Sequence, residues 1–416
     1  MKALTGATVI DVVSGRAIED AVILVRDGHV VAVGAADAVA VPRGADVTEL
    51  RGRWIVPGLI DAHTHMQPWG LAVALRYGVT AVRDLHDGTV LADTLRAVAQ
   101  RSPAPHFFPA IAMVDEPPTT YPDAFAVPVA DSADAVVGRL AALGSTWVKV
   151  YSKVRPDVLA AVLDAARLRR LPVAAHLGLT DAITAARLGV TSIEHLSGIP
   201  EAAGDSTALF AAHATGLFAG WTAFERSWST LDTGALAVVA RELAARRVFL
   251  VPTLVLHETF SRLDDPAIYR SANLKAVPDS ARRNWNVPGM IKRAGWTADD
   301  YPLFRAARPL QDFVLRTFAA SGGRVVAGTD ASNQLLVPGA ALHTEMELLV
   351  HAGFTPLEAL RSATSRAADL LGADSLGRLR PGAAADLVVL GANPLADIRN
   401  TRRIERVMLC GEWVKR

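Results

Sequence analysis

Two histidines one residue apart, His63-Thr64-His65, are the first positions in this chain whose types and spacing could do chemistry. In extended backbone, residues i and i+2 point to one face, so both imidazoles can grip a single metal ion through neutral nitrogens. The pair alone is weak, because 11 histidines in 416 residues produce such spacings by chance. Four later positions supply context. His176 closes Pro172-Val-Ala-Ala-His176, His195 closes Ser192-Ile-Glu-His195, Asp330 closes Ala327-Gly-Thr-Asp330, and Lys149 lies in Trp147-Val-Lys149-Val-Tyr151. Taken singly, each has a plain structural role: His195 a core imidazole, Asp330 a helix N-cap, Lys149 half of an internal ion pair. Grouped at the same end of five strands, they read as one shared metal site.

The elements that must position them alternate. Strands are expected at 54–61, 80–85, 107–113, 146–151, 172–176, 191–195, 248–254 and 324–329. Helical patterns fall at 89–101, 132–143, 156–169, 180–188, 235–246, 310–320 and 340–351. Eight strands, each followed by a helix, is the arithmetic of an α/β (β/α)8 TIM barrel, whose active sites lie at the C-terminal ends of the strands. A doubly wound open sheet is the runner-up, but its Gly-rich phosphate turn is absent from the early strands. Residues 1–56 and 369–416 carry short β patterns, including a hairpin across Asp27-Gly28 and a turn at Cys410-Gly411. Neither end has enough strands to be stable alone. They are expected to combine into a small β-sandwich domain, with the barrel, 57–368, inserted between them. The stretch 221–309 reads as irregular, with a long lid-like loop insertion around 255–309.

Composition narrows the function classes. Lys plus Arg is 43 and Asp plus Glu is 42, giving a net charge of +1 and no electrostatic reason to expect nucleic acid or an anionic membrane. Hydrophobic residues at 51% support a large core. The single cysteine, Cys410, excludes an intramolecular disulfide framework and fits a reducing, cytoplasmic compartment. No apolar run is long enough to span a bilayer, and the N-terminus reads as a strand rather than a secretion signal. The expected partner is a small-molecule substrate, with no nucleic acid and no membrane; a homo-oligomer stays open.

The segment Val56-Pro-Gly-Leu-Ile-Asp-Ala-His63-Thr-His65 resembles the signature of the metal-dependent amidohydrolase superfamily. So do Gly328-Thr-Asp330, the helix beginning Thr355-Pro-Leu-Glu-Ala-Leu, and the tail from Ser375 through Asp386-Leu-Val-Val-Leu to Asn393-Pro394. In detail the chain is similar to the branch that holds imidazolonepropionase-like enzymes, prolidase-like dipeptidases and amide-cleaving detoxifying hydrolases. The resemblance implies two divalent metal ions, Zn²⁺ by donor type, with Mn²⁺ or Co²⁺ as substitutes. His63, His65 and Asp330 would hold one metal, and His176 and His195 the other. Lys149, carboxylated by CO₂, would bridge them. A hydroxide between the metals would attack the substrate, with Asp330 as the catalytic proton shuttle.

The implied activity is hydrolysis of an amide C–N bond, best matched to a dipeptide or N-acyl amino acid. The alternatives are an ester, lactone, carbamate or phosphotriester at the same metals, and a non-catalytic binding protein on the same barrel. Tyr151 shares the strand face of Lys149 and is a candidate substrate contact, as are His257 after the seventh strand and His86 after the second. His106 precedes its strand and should be structural, at the opposite barrel face. Cys410 should be inert. Arg226, Arg262 and Arg270 lie in loops that could clamp a substrate carboxylate, but nothing in the sequence ranks them.

Overall fold

The strand expected at 54–61 breaks at Gly58, and that break divides the molecule. The structure is a computed structural model in which residues 1–415 are described. Trp54–Pro57 lies between Lys2–Ile10, to which it is parallel, and Leu387–Leu390, to which it is antiparallel. Leu59–Thr64 turns away into a set of parallel strands. A Cβ on Gly58 would sit 2.1 Å from Thr80 Oγ1, so glycine is what lets the chain step from one sheet to the other.

The two ends of the chain do meet. Ala17–Arg26 and His29–Ala35 form the hairpin predicted from Asp27-Gly28, with both turn residues left-handed at φ 50° and 78°. Ile404–Leu409 and Glu412–Trp413 turn at Cys410-Gly411. The expected sandwich, however, is not seen as two sheets: all eight terminal strands belong to one hydrogen-bonded sheet. The reason is Lys2–Ile10. Its free side pairs first with Asp46–Glu49 and then with Trp54–Pro57, which ties the N-terminal hairpin and the C-terminal strands into one surface.

The parallel strands follow chain order. Leu59–Thr64, Val79–Asp84 and His106–Pro109 make one sheet. Met113–Asp115, Val148–Val150, Val173–Ala175, Ser192–Glu194, Phe249–Val251 and Arg324–Val325 run through a second, edged by Phe125–Ala126. Backbone bonds link the two sheets at both ends: Thr146 N–H to Pro109 O at 2.7 Å, and Asp330 N–H to His63 O at 2.8 Å. The strand expected at 107–113 is split in two by Ile111, whose φ is 61°. The strand expected at 324–329 is regular only over Arg324–Val325.

The irregular reading of 221–309 is corrected. This stretch holds Leu254–Phe260, Asp279–Asn284 and Val287–Ala294, and helix Asp300–Ala320 runs through Pro309. Tryptophans and prolines masked the helical period. Trp221, Leu263, Trp285, Met290, Trp296 and Phe304 close a second apolar core that holds these short helices together. Among the described residues no helix is long and apolar enough to cross a membrane.

His106 begins its strand, at the end remote from the candidate ligands, and clasps the parallel strands to the terminal sheet. Its Nε2 lies 2.8 Å from Oδ2 of buried Asp386, whose Oδ1 accepts the Cys410 N–H at 2.6 Å. Burial pushes the Cys410 thiol up, away from the reactive thiolate. His106→Ala should therefore cost about 1 kcal/mol of stability, since one acceptor loses its partner, and leave turnover nearly intact. A denaturation midpoint measured beside kcat checks both halves.

Candidate metal centre

Short strands end in one place. His63, His65 and Asp330 bring ligand-type atoms within 4.8 Å of one another. Both imidazole Nε2 atoms lie 3.1 Å from Asp330 Oδ1, and His195 Nε2 lies 3.9 Å from it. The rings of His63 and His195 are 4.5 Å apart, and those of His176 and His195 are 4.8 Å apart. Lys149 is fully buried among them, and its Nζ has no hydrogen-bond partner.

The protonation pattern shows what this arrangement needs. His63 Nδ1 lies 2.7 Å from Glu194 Oε2. Burial opposes ionisation of Glu194, but Arg83 and His63 outweigh it and hold the carboxyl at about 2. Glu194 is thus an acceptor and His63 Nδ1–H the donor. Burial, then Lys149, holds the His63 pKa down, so the ring is neutral and its Nε2 presents a lone pair. His65 repeats the pattern: Nδ1 faces the His86 carbonyl at 3.0 Å and must donate. Burial disfavours a charge on His65, yet Asp330 more than compensates and raises its pKa. The His63 lone pair therefore faces the Asp330 carboxylate, while His65 is drawn toward its protonated, donating form. A nitrogen lone pair and a carboxylate oxygen 3.1 Å apart repel unless a cation lies between them. The His63 Nε2 atom is buried and without a hydrogen bond, which fits a divalent metal ligand.

Other residues hold these ligands, and sequence reasoning gave them no role. Arg83 donates to both Glu194 oxygens at 2.9 and 3.0 Å and stacks over Trp147 at 4.5 Å. Thr253 Oγ1 lies 2.7 Å from His195 Nδ1. Asn333 donates to Asp330 Oδ2 at 2.6 Å, leaving Oδ1 to the histidines. Glu345, beneath the site, accepts the Val255 N–H at 2.7 Å and so fixes the backbone just after Thr253. The available signal was a charged residue inside an apolar strand run: Arg83 in Val79–Asp84 and Glu194 in Ser192–Glu194.

A cavity of about 640 Å³ opens over the centre. Of the three expected substrate contacts, Tyr151 and His86 line it. Tyr151 hydrogen-bonds Tyr121, and burial holds its hydroxyl protonated. His86 Nδ1 accepts the Met113 N–H at 3.1 Å, so its Nε2–H donates to Asp123 at 3.1 Å. His257 is not brought to the cavity wall. Its Nδ1 meets Glu225, its Nε2 meets the His195 carbonyl at 3.2 Å, and Trp221 stacks over the ring at 5.3 Å. Trp221 and Tyr121 line the cavity instead.

Two outcomes follow from this scaffold. Thr253→Ala frees His195 to rotate and should weaken metal binding by about 10–100-fold, while Thr253→Ser keeps it; competition against a chelator measures this. Burial raises Glu345 from 4.5 to about 8. Between those values the unfolded chain has lost a proton that the folded chain keeps, so stability falls as pH rises. Glu345→Gln should flatten the decline in urea midpoint from about pH 4.5 to 8. Asp61, raised to about 7 by burial, should leave a residual slope.

Comparison with known proteins places the chain in a family. The sequence pattern described as the Amidohydrolase family matches residues 54–414. The chain is 45% identical over 51 residues to the imidazolonepropionase of Chromobacterium violaceum, and 47% identical over 64 residues to that of Mesorhizobium japonicum. These stretches cover 12% and 14% of this chain, and only 12% and 15% of those relatives. Whole-chain likeness is structural. A structure described as a prolidase of Bifidobacterium longum superposes with a TM-score of 0.76 at 23% identity, covering 100% of this chain and 94% of that one. A bottromycin amidohydrolase superposes at 0.73 and 26% identity, covering 99% of this chain and 86% of that one. The fold these neighbours imply is a TIM barrel, and the chain belongs to the amidohydrolase family.

Proposed function

We propose that this chain is a metal-dependent hydrolase that cleaves an amide C–N bond, with a dipeptide or N-acyl amino acid as its substrate. The observation that carries this reading is the convergence of His63 Nε2 and His65 Nε2 on Asp330 Oδ1, both at 3.1 Å. In this reading the two parallel sheets are arcs of one (β/α)8 barrel spanning 57–368. The terminal strands of 1–56 and 369–416 are a separate small domain, and the segment around 255–309 is the lid of the barrel. Structures described as prolidase and Xaa-Pro dipeptidase are among those with the same fold, which favours the amide over an ester, lactone, carbamate or phosphotriester.

His63, His65 and Asp330 would hold one metal, and His176 and His195 the second. Lys149 would join them as a carbamate. Its buried amine is brought down to about 8 by loss of solvation, so a sizeable neutral fraction is available to add CO₂ near neutral pH. When bound, the two divalent cations, Zn²⁺ on this imidazole and carboxylate donor set, polarise the carbonyl and acidify the attacking water. Asp330 does the proton work. Its neighbours His65 and His195 overcome the burial penalty and hold it well below the ordinary carboxylate range, so it starts ionised. Oδ1 takes a proton from the water as oxygen adds to the carbonyl carbon. It returns that proton to the leaving nitrogen as the C–N bond breaks. Tyr151, kept protonated, donates a hydrogen bond to a substrate oxygen. Trp221 and Phe260 exclude water from the apolar wall of the cavity.

The test is hydrolysis by protein loaded with Zn²⁺ in bicarbonate, across dipeptides, N-acyl amino acids, lactones, carbamates and phosphotriesters. Amide cleavage with two metals per chain supports the reading, and no amide turnover overturns it. Lys149→Ala should lose at least one metal and more than about 100-fold in rate, beyond the range of a group that only orients a ligand. Short carboxylic acids should restore part of that rate. A Lys149→Ala protein with both metals and near-full turnover would sink the bridging assignment.

A further inference from the structure

The cavity wall has an uneven charge. Apart from Lys149, Asp330 and the histidines, its ionisable side chains include two cations, Lys153 and Arg293, and no carboxylate. Lys153 follows Tyr151 by two residues and donates from Nζ to the Pro118 carbonyl at 2.5 Å, leaving two protons free. Arg293 is exposed and lies on helix Val287–Ala294, within the segment that covers the cavity. It has no ion pair or hydrogen bond among the described residues. Its neighbours differ. Arg226 is held by Asp300, Arg262 by Asp265 at 2.6 Å, and Arg305 by Asp264 at 2.9 Å. Arg226, Arg262 and Arg270 are also not on the cavity wall. The arginine free to meet a substrate is therefore Arg293. Part of the wall is apolar, built by Phe218, Trp221, Phe260 and Trp296, with Trp221 6.2 Å from the His176 ring.

We infer that Arg293, assisted by Lys153, forms an anion subsite that holds a free carboxylate of the substrate, and that this subsite sets preference for acids over their amides. The inference rests on the amide-hydrolase reading above and adds the group that is recognised and the residue that reads it. A guanidinium matches a carboxylate with two parallel N–H donors, while an ammonium offers a point charge. An unpaired arginine at the mouth loses little in meeting an anion there. The aromatic wall then takes the apolar part of the same molecule.

The experiment compares an N-acyl amino acid with its C-terminal carboxamide, which carries the same scissile bond. Metal-loaded wild-type protein should prefer the acid by at least tenfold in kcat/KM. Arg293→Met should lose at least tenfold on the acid, mainly through KM, and stay within twofold on the carboxamide. Arg293→Lys should recover part of the loss, and Lys153→Met should show a smaller loss of the same kind. Equal wild-type rates on acid and carboxamide overturn the subsite. So does an Arg293→Met protein that loses both substrates alike, since that is structural damage. If neither compound is hydrolysed, the hydrolase reading fails on its own, and the same pair is titrated calorimetrically. A tenfold tighter Kd for the acid that vanishes in Arg293→Met still supports the subsite, and equal Kd values overturn it.

Discussion

Three ligand-type atoms crowded together beside one cavity set the terms for the rest of this structure. His63 Nε2, His65 Nε2 and Asp330 Oδ1 meet at distances suited to hydrogen bonds, yet the His63 ring is held neutral with its proton on Nδ1, and only the charge of Asp330 draws a second proton to His65. Such a cluster is stable only with positive charge at its centre. Much of the surrounding architecture serves to keep it from relaxing. The Glu194–Arg83 pair locks one ring, the His86 carbonyl locks another, and Asn333 pins the carboxylate. Arg83 and Glu194 are both fully buried, so removing either would strand a charge in the core at a cost of about 3–5 kcal/mol. Buried ion pairs are poor sources of net stability. Here the pair contributes orientation: it fixes which nitrogen of His63 carries the proton.

The backbone is held in the same way. Asp330, His195, Leu196 and Thr253 all have positive φ, between 48° and 63°. Non-glycine residues adopt that region rarely and at a cost. His195, Leu196 and Thr253 sit just past strand ends and Asp330 five residues beyond its short strand, where an extended strand would have sent its side chains elsewhere. The left-handed step turns His195 and Asp330 inward. Glu345 meets the amide just after Thr253 and keeps this turn closed.

Much of the centre was legible because its chemistry is local. His63 and His65 are two apart on one strand, and His176, His195 and Asp330 each end an apolar run. The residues that orient them were not legible, because their partners lie far away in sequence: Glu194 is 131 residues from His63, and Thr253 is 58 from His195. His257 shows the converse. Its position after the seventh strand suggested a substrate contact, but a side chain's neighbours decide its use, and Glu225 and Trp221 enclose it. The alternation of strands and helices was readable from hydrophobic period. The division at Gly58 was missed although Pro57-Gly58 marks a break, because the apolar residues on both sides read as one strand until tertiary pairing separates them. In the same way, the short helices after the seventh strand bury their aromatics against one another, which gives no clean period along the chain.

The seating of Trp54–Pro57 between Lys2–Ile10 and Leu387–Leu390 also dictates an order of events during synthesis. One edge of that strand can pair at once with the N-terminal hairpin. The other must wait while about 330 further residues are made, on the order of half a minute at typical ribosomal rates. Throughout that interval a nascent chain carries an open β edge of the kind that recruits other chains. Early expression yield should therefore depend more on how that edge is shielded than on the strength of the finished core, and the last strands act as the latch that ends the exposure.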